Sequence, residues 1–168
     1  LMWFVTGIST GLTQGFSIQL SQYYGAKDFE NLRKSLAHSY RLTAFIAAGV
    51  LILSQSFASL VLTGLHTPSN IIGMSLLYLR IIFCGIPATA AYNMFASALR
   101  AMGNSKTPLT AMIIASVLNV SLDILFVAGF GWGVAGAAIA TVIAQSFSAV
   151  YCFLILRRID IVHLTRAD

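Results

Sequence analysis

Asp123 closes the run Leu118-Asn119-Val120-Ser121-Leu122-Asp123, inside an otherwise apolar stretch of this 168-residue sequence. A carboxylate at the centre of a membrane helix costs about 2.5 to 3.5 kcal/mol on insertion scales, so an Asp placed there marks a site for a proton, a cation or a partner charge. Asn119 lies one helical turn earlier and shares the face of Asp123. Counting back from Gly129, Asp123 is about 9 Å inside the boundary at about 1.5 Å per residue. Counting forward from Gly133, Thr141 is about 12 Å deep by the same rise. A carboxylate, an amide carbonyl and a hydroxyl at one level suit a small hard cation, and the carboxylate alone suits a proton. Arg80, about 15 Å from the outer end of its own stretch, is the candidate partner for an intramembrane ion pair that would neutralise Asp123. From the residues alone, an ion site and a polar cluster that only locks two helices together both remain open.

The elements that must hold these residues are legible from composition. Apolar residues make up 58% of the chain and charged ones 9%, with a mean hydropathy of +0.84, far from the balance of a soluble domain. Five stretches, roughly 3–24, 42–64, 70–99, 109–129 and 134–156, reach the about 20 residues needed to cross a hydrocarbon core. The expected fold is therefore all-α and transmembrane, with turns at Gly25-Ala26-Lys27-Asp28, Thr67-Pro68-Ser69-Asn70, Gly103-Asn104-Ser105-Lys106-Thr107-Pro108 and the glycines 129, 131 and 133. Basic residues alternate between connections. Lys27, Arg33, Lys34 and Arg41 fall in the first, Arg100 and Lys106 in the third, and Arg157, Arg158 and Arg166 in the tail. By the positive-inside rule, connections 25–41 and 100–108 and the C-terminal tail are cytoplasmic, in a multi-pass protein of the cell (plasma or inner) membrane. These charges form no continuous basic stripe, which argues against a nucleic-acid partner.

Other features point to packing. Gly7, Gly11 and Gly15 form a bare stripe that would admit another backbone. The same stretch carries Thr6, Ser9, Thr10, Thr13, Gln14, Ser17, Gln19, Ser21 and Gln22, which must be paired between helices or wetted by a cavity. Gly133, Gly136, Ala137, Ala140, Thr141 and Ala144 offer a second small-residue face. Pro87 should kink the third stretch, as a hinge or a static bend. Residues Asn31 to Arg41 read as an amphipathic lead-in at the cytoplasmic surface. Cys84 and Cys152 are expected to be packing residues. His38, His66 and His163 lie near boundaries, and no metal-spaced or Ser-His arrangement suggests an enzyme.

Taken together, Ser21-Gln22-Tyr23-Tyr24-Gly25-Ala26-Lys27-Asp28, Tyr78-Leu79-Arg80-Ile81, Leu99-Arg100-Ala101-Met102-Gly103-Asn104-Ser105-Lys106-Thr107-Pro108-Leu109, Leu118 to Asp123 and Gly133 to Thr141 resemble the multidrug and toxic compound extrusion (MATE) transporters. That family's fold is twelve helices in two six-helix lobes about a central cavity. The resemblance implies that this chain supplies five helices of the N-terminal lobe, the second to the sixth. The chain opens in mid-hydrophobic run, without the basic region of a signal peptide, and reads as a fragment lacking the first helix. The resemblance further implies a cation site on Asn119, Asp123 and Thr141, lacking an acidic residue from that first helix. The implied function is efflux of organic, often cationic, drug-like compounds by antiport with Na⁺ or H⁺ through alternating access. No cofactor is implied beyond the coupling ion, and no metal beyond a monovalent cation. Membrane lipid, the missing helix and the second lobe are the implied neighbours. A flippase for lipid-linked oligosaccharide or peptidoglycan precursors is the alternative within the same superfamily, and a passive structural subunit the remaining one.

Overall fold

In the computed structural model, residues 2–64 and 71–159 are described, apart from the side chains of residues 2–6, 8–10, 12 and 13. The described chain is helical throughout: α1 (Met2–Gly25), α2 (Phe29–Gly64), α3 (Ile72–Cys84), α4 (Ile86–Ala101), α5 (Lys106–Asp123), a π-helical segment (Ile124–Gly129) and α6 (Gly133–Arg158). Four spans, Phe29–Gly64, Ile72–Ala101, Lys106–Gly129 and Gly133–Arg158, are long and apolar enough to cross a membrane. α1 has 24 residues, long enough by the same measure, but is richer in hydroxyls and amides. Thr67 to Asn70, His66 and His163 lie outside the described residues, as do the side chains of Thr6, Ser9, Thr10 and Thr13.

Two turns on one side of the bundle share one design. After α1, the Asp28 amide donates to the Tyr23 carbonyl (3.0 Å) and the Lys27 amide to that of Tyr24 (3.1 Å). After α4, the Asn104 amide donates to the Leu99 carbonyl (2.9 Å) and the Gly103 amide to that of Arg100 (3.0 Å). These are paired Schellman bonds, which need a left-handed residue between them. Gly103 supplies φ +82° without strain, whereas Lys27 supplies φ 57° with a side chain attached. The next residue then caps the following helix. Asp28 Oδ1 accepts the Asn31 amide (3.1 Å), and Asn104 Oδ1 accepts the Thr107 amide (3.1 Å), each satisfying a free amide of a first turn. The Asn31 side-chain and backbone bonds, with Lys34 nearby, hold the Asp28 carboxyl below its usual range.

The lead-in is not a separate surface helix. No breaker separates Arg41 from Leu42, so α2 runs unbroken for 36 residues, and its Leu32, Leu36, Ser39, Thr43 and Ala47 are buried. Leu32 and Leu36 join Leu20, Phe95, Leu99, Cys152 and Leu156 in the main core. That core sits at the end of the bundle formed by the two turns, where α4 touches α1, α2, α5 and α6.

Pro87 acts more strongly than a kink within one helix. The third stretch is two helices meeting at Gly85, whose amide bonds to the Ile82 carbonyl at 2.9 Å. A Cβ on Gly85 would meet Val142 Cγ2 at 3.0 Å, so this junction packs directly on α6. Gln55 Nε2 from α2 donates to the Arg80 carbonyl (3.0 Å) and to Cys84 Sγ (3.3 Å) beside the break. Cys84 is therefore exposed and hydrogen-bonded rather than packed, while Cys152 is buried as expected. The close contacts also fall elsewhere than the first glycine stripe. Cβ atoms built on Gly7, Gly11 and Gly15 meet nothing within 4 Å, because none of these helices lies against that face. The second small face does pack: Gly136, Ala140, Ala144, Ser148, Cys152 and Leu156, at a strict spacing of four, are all buried along α6.

Candidate functional site

α5 and α6 are neighbours, and their contact places the polar residues. Asn119 Nδ2 donates to Thr141 Oγ1 at 3.5 Å, a long bond. Thr141 Oγ1 in turn donates to the Ala137 carbonyl one turn below, at 3.0 Å. With its proton committed there, the threonine oxygen faces Asn119 as an acceptor. Asp123, the last residue of α5, lies one turn on. Its Oδ1 is sealed from solvent and has no hydrogen-bond partner. Native interiors rarely leave a carboxylate oxygen so placed without a donor, since the uncompensated desolvation is costly. Asp123, Asn119 and Thr141 each carry an oxygen of the hard kind that small cations take, and Asp123 lies one helical turn from the Asn119–Thr141 contact. Among the described residues no three His, Cys, Asp or Glu side chains converge as a transition-metal site.

Arg80 stands apart. Its side chain is exposed on α3, and it forms no salt bridge with Asp123; the salt bridge found among the described residues joins Lys34 to Glu30 at 2.7 Å. The carboxylate is thus left without the neutralising arginine that a structural pair would provide.

One feature of the site has no counterpart in the sequence pattern. Immediately after Asp123 the helix widens to a π turn over Ile124–Gly129, a form frequent at functional positions. The Phe130 amide reaches back five residues to the Leu125 carbonyl (3.0 Å). The wide turn carries Phe126 onto α6, where a Cβ on Gly136 would meet Phe126 Cβ at 3.0 Å and its carbonyl carbon at 3.3 Å. Phe126 also stacks on Trp132 (centroids 5.2 Å apart) and Phe130 (6.1 Å), closing the turn between α5 and α6. Gly131 (φ 68°) and Gly133 (φ 53°) supply the left-handed residues of that turn, a role only Gly takes readily.

Comparison with known proteins agrees with this fold. The MatE family profile matches residues 1–125. The chain belongs to the MatE family. It is 32% identical over 160 residues to the probable multidrug resistance protein YoeA of Bacillus subtilis, covering 93% of this chain and 34% of that protein. It is also 32% identical over 129 residues to the probable lipid II flippase MurJ of Thermotoga maritima, covering 76% of this chain and 26% of that one. The fold superposes on a crystal structure of MATE in the bent conformation with a TM-score of 0.90 at 24% identity, over 96% of this chain and 36% of that chain. The chain spans about a third of the length of the multidrug resistance proteins it matches. As a MatE member with several apolar helices, it is a multi-pass membrane protein.

Proposed function

We propose that these helices form the N-terminal lobe of a secondary active exporter of organic, often cationic, compounds, driven by Na⁺ or H⁺ antiport through alternating access. The observation that carries the coupling role is the sealed, unbonded Oδ1 of Asp123, one turn from the Asn119–Thr141 contact. A proton or monovalent cation there removes the buried charge and stabilises whichever conformation binds it more tightly; an ion with equal affinity for both would shift nothing. Asn119 and Thr141 supply oxygens, and the exposed Gln14, Gln19 and Gln22 of α1 line a path shared with the rest of the transporter. In this reading the connections 25–41 and 100–108 and the tail are cytoplasmic, and a further helix and a second lobe complete the cavity.

The similarity to a lipid II flippase favours a second reading, movement of a lipid-linked precursor. A pyrophosphate headgroup is held by several basic groups, and within residues 42–64, 72–99, 107–129 and 134–156 Arg80 is the sole Lys or Arg, so drug export is the stronger reading. The test is efflux by the full-length protein under imposed Na⁺ and H⁺ gradients. Asp123→Asn should abolish gradient-driven export while leaving membrane insertion unchanged. Export by that variant at the wild-type rate would remove Asp123 from the mechanism.

A further inference from the structure

A cavity of about 240 Å³ lies between α2 and α4, walled by Tyr40, Thr43, Ala47, Pro87, Ala90 and Phe95 among others. None of Asn119, Asp123 and Thr141 touches it. Its space comes from alanines facing one another across the two helices, and its end is aromatic. Tyr40 lies 4.9 Å from Phe95 and 6.3 Å from Phe153, centroid to centroid. The walls are apolar, but two hydroxyls break the pattern. Thr43 is only 8% exposed, and neither Thr43 Oγ1 nor the Tyr40 hydroxyl has a hydrogen-bond partner. That is unusual for this bundle, where hydroxyls back-bond to the carbonyl four residues earlier, as at Ser56 (2.8 Å), Ser116 (2.9 Å) and Ser146 (2.8 Å). Thr43 makes no such bond to Ser39, and its Oγ1 lies unpaired and covered in the cavity wall.

We propose that this slot binds a small neutral aromatic molecule bearing one hydroxyl, a phenol in chemical class. The volume exceeds the about 150 Å³ that holds benzene in a protein interior, enough for one substituted ring against Phe95 and Tyr40. The free hydroxyls decide the polar part. A lipid acyl chain would cover the slot and leave both unpaired, whereas a ligand hydroxyl pairs with at least one after a small rotation of Thr43, relieving the cost of a buried unsatisfied group. The Arg157 guanidinium, 5.7 Å above the Phe153 ring, places positive charge on the Tyr40 side and favours an oxygen-bearing ligand over an amine.

The full-length protein in lipid nanodiscs, titrated with 4-fluorophenol and with fluorobenzene by fluorine NMR, tests this. 4-Fluorophenol should saturate and bind more tightly than fluorobenzene. Removing both hydroxyls (Tyr40→Phe with Thr43→Val) should weaken the phenol by about tenfold, the size of a lost hydrogen bond, and leave fluorobenzene unchanged. Ala90→Leu should abolish saturable binding by filling the slot; Ala48→Leu, at its exposed rim, should do the same without disturbing the core, as a wild-type melting temperature would confirm. Non-saturating partition into wild type, equal sensitivity of the two probes to the hydroxyl variant, or undiminished phenol binding by a well-folded Ala48→Leu protein would each overturn the proposal.

Discussion

The two ends of this bundle are built differently. At the end formed by the Lys27 and Gly103 turns, Leu20, Leu32, Leu36, Leu99, Cys152 and Leu156 are at most 2% exposed and pack into one cluster from four helices. At the opposite end, no residue of the π segment is buried, and the buried residues of α5, Pro108 and Ala111, lie in its first two turns, far from Asp123. The packed end can hold helix positions by hydrophobic contact alone. The site end is held by the small buried residues Gly136, Ala138 and Ala140 of α6, an aromatic stack and one long hydrogen bond. In the proposed function, the carboxylate that gains and loses a cation sits on the less buried part of α5, while the large apolar side chains of the core pack at the other end.

The contrast can be broken first at the packed end. Leu99→Ala, at 0% exposure, should cost about 2–5 kcal/mol in unfolding free energy, measured by denaturant titration in detergent, without altering the ion dependence of transport. An altered ion dependence would mean that the ends are coupled. Gly136→Ala acts at the other end. Its Cβ meets Phe126 and Trp132 at 3.0 and 3.1 Å, so it should cost about 1–3 kcal/mol by overpacking and lift the π turn from α6. Here the ion concentration for half-maximal transport should rise, while Leu99→Ala leaves it fixed. The smallest effect is expected at Lys27. Glycine at its left-handed position, as the matching turn already has at Gly103, should stabilise by about 1 kcal/mol and raise the melting temperature with no change in transport.

Much of the architecture was legible because lipid leaves few solutions: long apolar runs must be helices, and Gly, Asn and Pro clusters must be turns. Periodicity could show that residues 31–41 have an apolar face but not what covers it, and Leu32 and Leu36 turned out to meet α1, α4 and α6 rather than the membrane surface. The glycine stripe at 7, 11 and 15 advertised close packing, yet the close approaches fell at Gly136, within the small-residue face that α6 also showed in sequence, and at Gly85, an isolated position that forms no repeat. At the site, depth counting was enough to bring Asn119 to Thr141, since both helices rise from one short turn. It could not foresee the π segment, which depends on how Phe126 settles against Gly136. Nor could it tell that the Arg80 side chain would make no salt bridge with Asp123, because orientation around a helix broken at Gly85 is set by tertiary contact.

The central claim is that the Asp123 carboxyl changes state when the coupling ion binds. Difference infrared spectroscopy of the purified full-length protein, recorded across a step in pH and a step in Na⁺, reads that carboxyl directly. The wild type should show a carboxyl band that responds to at least one of the two ions, and that band should vanish from the difference spectrum of Asp123→Asn. An unchanged difference spectrum in Asp123→Asn would contradict the account.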